Sequence, residues 1–227
     1  MEENKTKAIV LKNAPFRDRQ CILTLLSEDR GLIRMIVKGL SSKRIDLSAS
    51  TTPLTEVEFT YSEGRSDLLK CRSASIINAH LPLRNSYSIL MAATRLAAAI
   101  LLSQKPGKES EVPYILFSSF LKNLPRYPGF SDALTCSFLL KLLKHEGVFH
   151  PSTPCEACSL LEARAIYGAQ AYCKAHAPSD ATIFSEEEWT HIKTLTQASL
   201  FSALGQIEIS PHLKKKIDVL FEMLIKR

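Results

Sequence analysis

Cys155 and Cys158 stand three residues apart, and Cys173 and His176 repeat that spacing after fourteen intervening residues. Two thiolates on one tight turn can both face a single ion, and a second such turn supplies two more donors. That is the ligand pattern of a tetrahedral zinc site. Pro154 and Pro178 flank the unit and Gly168 lies inside it, as a compact, loop-rich knuckle over about residues 150–180 requires. His150, just upstream, is an alternative fourth ligand, but its spacing fits a knuckle less well than that of His176.

Pro154-Cys155-Glu156-Ala157-Cys158 also matches the second half of the zinc deaminase signature. The first half, a His-x-Glu well upstream, is missing, because His145 and Glu146 are adjacent and close a helical segment. The downstream Cys/His pair fills the coordination sphere and leaves no open position for a reacting water. The expected role of the zinc is structural. The remaining cysteines, Cys21, Cys71 and Cys136, sit among apolar neighbours and read as core. There is no phosphate-binding glycine loop and no dinucleotide fingerprint, and the chain is expected not to be an enzyme.

The second chemical signal is basic. The chain has a formal charge of +6, and residues 1–44 hold ten Lys/Arg against five Asp/Glu. In the strand-like run Leu32 to Lys38, Arg34 and Lys38 share a face with Ile36, while Ile33, Met35 and Val37 take the other. Lys70 and Arg72 share a face of a later run, and Arg17, Arg19, Lys43 and Arg44 fall in predicted loops. Such a surface binds phosphates. Phe16, the nearest aromatic, fits a core position as well as a base-stacking one, and the scarcity of other aromatics favours backbone-dominated, sequence-tolerant binding.

The elements that must position these groups come in two blocks. Runs at Lys7–Leu11, Cys21–Leu26, Leu32–Lys38, Val57–Tyr61 and Leu68–Ile77 are strand-like. Gly31 is placed to take a positive φ in the turn after the second. Five short strands without a long intervening helix suggest a small closed barrel of the OB type. From residue 81 the pattern turns helical, with segments at Asn85–Gln104, Val112–Leu124 and Ser131–Glu146, the last with Ser131 as N-cap and Gly147 as its stop. Ser185 to Glu188 is a capping box, and a last helix starts at Ser210-Pro211. The expected class is α+β: a five-stranded OB-type barrel over residues 1–80, then a helical domain over 81–227 that carries the zinc knuckle.

Hydrophobic content of 45% and charged content of 23% are those of a globular chain. The start lacks a signal peptide, and the most apolar run, Leu96 to Leu102, is too short to span a bilayer. A cytoplasmic protein with no membrane partner is expected, and there the cysteines favour metal over disulfides.

The chain resembles the RecO family of bacterial recombination mediators. The likeness lies in Ala8-Ile9-Val10-Leu11, the segment Ser27 to Ile33, Val37-Lys38-Gly39, Ser41-Ser42-Lys43-Arg44 and Leu68-Leu69, then Phe138 to Gly147 running into the first cysteine pair. It covers about residues 5–180 in matching order, and the order of barrel, helices and knuckle carries it. The resemblance implies binding of single- and double-stranded DNA and annealing of complementary strands. With the partner RecR, it implies assistance to RecA loading on strands coated by single-stranded DNA-binding protein (SSB). It also implies that the helical domain receives the acidic, phenylalanine-ended SSB tail, for which Lys122, Arg126, Lys141 and Lys144 beside Leu140 and Leu143 are candidates. The fourth zinc position is histidine here where relatives often show cysteine. A reading from another class is a zinc-knuckle adaptor in RNA or transcription assemblies whose barrel docks protein partners.

Overall fold

The computed structural model describes residues 3–41, 45–64, 66–108, 111–160 and 163–226. The chain forms two compact units, Met1–Pro125 and Arg126–Arg227.

In the first unit, β1 (Asn4–Arg17), β2 (Gln20–Ser27), β3 (Gly31–Lys38), β4 (Glu56–Ser62) and β5 (Leu68–Asn78) close into a barrel in the order β1-β2-β3-β5-β4. Only the β3–β5 pair is parallel, and the barrel is of the expected OB type. Strand alternation sends Ala8, Val10, Leu23, Leu25, Met35, Val37, Val57, Phe59 and Leu69 inward, where they form one buried core. Gly31 has φ +69 and lies against the 105–108 segment, where a Cβ would come within 2.6 Å of the Lys108 carbonyl oxygen.

Two features differ from the sequence expectation. β1 runs fourteen residues, and register shifts between Val10 and Lys12 and between Pro15 and Arg17 interrupt the alternation that would have revealed its length. A short helix, α1 (Ile45–Ser50), lies between β3 and β4 and adds Leu47 to the barrel core. Six residues, two of them Ser, are too few to show a helical period.

The outer surface of the barrel has two characters. Leu26, Ile9 and Glu56 are cross-strand neighbours on β2, β1 and β4, they point away from the core, and all are buried. The cover is α2 (Tyr87–Ser103) and α3 (Glu111–Asn123), which pack on these strands. The first unit therefore continues past residue 80, where β5 has just ended, to include both helices. Glu56 joins barrel to helix: it accepts hydrogen bonds from Tyr114 Oη at 2.9 Å and Ser118 Oγ at 3.3 Å. His80 Nε2 lies 3.6 Å away and Lys122 Nζ 3.4 Å away.

In the second unit α4 (Ser131–His145) is central, with Ala133 through Leu140 buried without a break. A helix apolar on all sides must be surrounded, and α5 (Glu186–Gln197), α6 (Phe201–Leu204) and α7 (Pro211–Ile225) pack around it. Ser131 is the first helical residue rather than the cap: Phe130 holds the cap position, and no side chain caps the helix. Ser185 and Glu188 form the expected capping box, and Ser210 caps α7. Between α4 and α5 lies a small sheet in the order β7-β6-β8, of β6 (Ala165–Tyr167), β7 (Gln170–Tyr172) and β8 (Thr182–Ile183).

Candidate functional site

The small sheet carries the cysteine pairs. Tyr167 and Gln170 are hydrogen-bonded partners, and Gly168 between them has φ +60, so the β6–β7 turn is tight and delivers Cys173 at its exit. Cys155 reaches the same place through a backbone loop: Ser159 N–H donates to the Cys155 carbonyl, Cys155 N–H to that of Leu160, and Glu156 N–H to that of Ala171. The sulfurs of Cys155, Cys158 and Cys173 and a ring nitrogen of His176 lie within 4.8 Å of one another. Individual separations are 3.8 Å for Cys158–Cys173, 3.8 Å for Cys155–His176 Nδ1 and 3.2 Å for Cys173–His176 Nδ1. An ion holding sulfur at about 2.3 Å and nitrogen at about 2.0 Å in a tetrahedron spaces its donors by roughly 3.5–3.8 Å. The four residues thus form a cluster that can hold one metal ion.

The chemistry of the donors agrees. Burial opposes the thiolate of Cys155, but N–H groups of Cys173, Ala157 and Cys158 directed at its sulfur outweigh it and bring the thiol down to about 6. At Cys158 the Leu160 N–H favours the thiolate, yet burial and the neighbouring thiols prevail and raise its pKa. Three thiolates brought together repel, and a cation in their midst removes the conflict.

The second feature is the barrel face that the helices leave open. Register places Thr24, Arg34 and Leu68 in one row across β2, β3 and β5, and Ile22, Ile36 and Lys70 in the next. Gln20 pairs with Lys38 one step further. Arg34, Lys38, Lys70 and Arg72 are exposed, and among the described residues no carboxylate lies within 4.0 Å of Arg34, Lys38 or Lys70. Arg72 Nε donates to Ser62 Oγ at 3.1 Å. On the other side of the barrel, Lys5 and Lys7 pair with Glu58 and Glu28. Arg17 and Arg19 stand exposed at the β1–β2 turn, whose Gln20 end adjoins Lys38. Lys43 and Arg44 lie outside the described residues.

Residues 1–80 match the family described as Recombination protein O N terminal. Over 223 residues the chain is 30% identical to the DNA repair protein RecO of Chlamydia trachomatis serovar D, covering 96% of this chain and 90% of the relative. The chain belongs to the RecO family. RecO of Chlamydia pneumoniae is 28% identical over 221 residues, 95% of this chain and 86% of its own length. RecO of Exiguobacterium sibiricum is 22% identical over 231 residues, covering 99% and 91%.

The residues that the RecO resemblance assigned to an acidic tail fall into different settings. Lys122 is on α3 in the first unit, beside Glu56. Lys141 is half-buried, its Nζ donates to the Ala198 carbonyl at 2.6 Å, and burial, helped by the charge of Lys144, lowers its pKa. Leu140 and Leu143 are fully buried and offer no apolar surface. Arg126 and Lys144 are exposed, and Lys144 stands at a cavity of about 390 Å³ lined also by Val148, Phe149, Ile166 and Ala171. On α7, Lys214 pairs with Asp132 and Lys216 with Glu188, and both pairs hold that helix in place.

Sequence reasoning missed Glu56 as the link between barrel and helices. Its signal was a carboxylate at the first position of a strand, and only the packing of α3 explains it. No helix among the described residues is long and apolar enough to cross a membrane.

Proposed function

We propose that this chain is a non-catalytic DNA-binding and strand-annealing mediator of recombinational DNA repair, acting in the cytoplasm. The observation that carries this is the open β2-β3-β5 face. There Arg34, Lys38, Lys70 and Arg72 stand exposed on neighbouring strands without carboxylate partners among the described residues, on a barrel of the type that binds single strands across that surface. The names of its RecO relatives as DNA repair proteins support the same reading. Basic side chains along an extended face neutralise phosphates and release counterions, which gives sequence-tolerant affinity that falls with salt. Two complementary strands held by such a face lose their mutual repulsion, and this favours annealing.

The metal is proposed to be zinc, held by Cys155, Cys158, Cys173 and His176, where it closes four ligands and supplies cross-linking rather than chemistry. The partners are single- and double-stranded DNA, RecR, the SSB tail and, indirectly, RecA. For the tail, the cavity at Lys144 joins an apolar lining to a positive rim, the pairing that an acidic, phenylalanine-ended peptide needs. In a tail-peptide titration, Lys144→Glu weakens binding.

The deciding experiment is annealing of complementary oligonucleotides, bare and SSB-coated, across a salt series. Acceleration that survives the coating and fades with salt supports the mediator. No acceleration by zinc-loaded protein moves the assignment to a protein-docking adaptor.

A further inference from the structure

Phe16 is misplaced for a core residue and for a turn residue alike. It stands at the end of β1, beside the tip of the β1–β2 hairpin, and is 47% exposed. The ladder pairs Pro15 with Cys21 and Arg17 with Gln20, so Phe16 is the extra residue of a β-bulge. A bulge re-aims a side chain that regular pairing would have turned to a fixed face. Here it leaves the benzyl ring half-exposed at the barrel surface. The Arg17 guanidinium sits over the ring, 5.1 Å from its centroid, a cation–π contact that steadies the ring from one face.

The next residues extend the pattern. Arg19 has φ 51, a left-handed conformation that glycine adopts without strain and arginine does not. The tip thus carries a cationic side chain at a position where backbone preference asks for none. Gln20 pairs with Lys38, which puts this cluster at one end of the row that runs down β3 to Arg34. Four strand residues span about 13 Å, the length of a few nucleotides of extended single strand.

We infer that Phe16, held by Arg17 and flanked by Arg19, is a stacking platform for an unpaired nucleobase of single-stranded DNA. It gives the basic face its preference for single strands over duplex. The proposal rests on the DNA-binding reading above and deepens it. Phosphates on Arg34, Lys38, Lys70 and Arg72 do not distinguish a single strand from a duplex, because both present phosphates. A planar apolar ring does, because only an unpaired base can leave its neighbours to lie on it. Any base has such a face, so sequence tolerance is kept.

The test compares the whole protein with Phe16→Ala and Phe16→Trp, using a thymidine oligonucleotide of about 12 nucleotides and a duplex of the same length. Phe16→Ala is expected to weaken single-strand binding about tenfold and to leave duplex binding unchanged. In Phe16→Trp the fluorescence of the new indole is quenched by the oligonucleotide and not by heparin, a polyanion without bases. The single native tryptophan, Trp189, is 4% exposed and contributes a constant background. Equal losses for single strand and duplex, no loss for either, or equal quenching by heparin would overturn the platform while the basic-face reading stands. Wild-type protein that binds neither DNA would overturn both. Arg34→Ala separates the two ideas further, since it is expected to weaken both ligands alike.

Discussion

At the scale of single residues, Glu56 shows how a charge is kept inside a protein. The His80 imidazole does most to favour its carboxylate; burial works against it, and the Tyr114 hydroxyl and Lys122 ammonium add to the favourable side. The balance leaves the carboxyl at about 2 against an ordinary 4.5. The ionised form therefore stabilises the fold above about pH 4.5, by about 3 kcal/mol, and that contribution is lost as the pH falls from there through about 2. Urea titrations at a series of pH values should show the wild type losing this much across the window. Glu56→Gln should start about 3 kcal/mol lower at neutral pH and decline less than the wild type across that window, because it leaves the Lys122 ammonium facing a neutral group. Tyr114 shows the reverse side of the pair. Burial first, and then the charge of Glu56, raise its hydroxyl pKa and keep it a hydrogen-bond donor.

At the scale of elements, the knuckle is too small to hold itself together. Strands β6 and β7 have three residues each and β8 has two, and isolated hairpins of that size are not stable in water. Their buried side chains are few and mostly small, Ala165, Ile166 and Ala171, so apolar burial adds little. If the cluster holds the proposed zinc, the fold there depends on it. One equivalent of zinc per chain is expected by elemental analysis. Cys173→Ser should lose that zinc and about 3 kcal/mol, a fall of about 10 °C in Tm for a chain of this size, whereas His176→Cys should retain both. The β1–β2 tip obeys the opposite logic, with local stability given up for a surface group. Arg19→Gly relieves the left-handed backbone and should leave Tm unchanged or raise it, by up to about 1 kcal/mol of stability. The same substitution should weaken DNA binding, so that a melting curve and a binding curve move in opposite directions.

At the scale of the whole molecule, charge and cover are distributed together. One side of the barrel is sealed by α2 and α3, and the other presents basic side chains on the neighbouring strands β3 and β5. If the four side chains of that face meet phosphates, the slope of log affinity for single strands against log salt is about −3, and each alanine substitution among them reduces it by about 0.7. The seal also sets where the first unit ends. A chain truncated after Pro125 should melt cooperatively by circular dichroism. Truncation after His80 strips the cover from Ile9 and Leu26, each worth about 2 kcal/mol, and leaves Glu56 without Tyr114, Ser118 and Lys122. That shorter piece should aggregate or fail to melt cooperatively.

The sequence by itself determined the features whose physics is local. Paired Cys-x2-Cys and Cys-x2-His turns bring their own ligands together through short backbone loops, so the cluster was legible from spacing. Alternation along Leu32 to Lys38 placed Arg34 and Lys38 outward because a strand has period two. Gly31 and the Ser185–Glu188 box were legible because turn and cap chemistry involve residues a few positions apart. What depends on distant segments was not legible. Phe16 fitted core or surface equally well until the bulge turned it outward. Lys141 stood among the candidates for the acidic tail until Ala198 was folded onto it. Glu56 looked like any strand carboxylate until α3 covered it. In each case the deciding partner is a group elsewhere in the chain, or the register between two strands, and only tertiary packing sets either one.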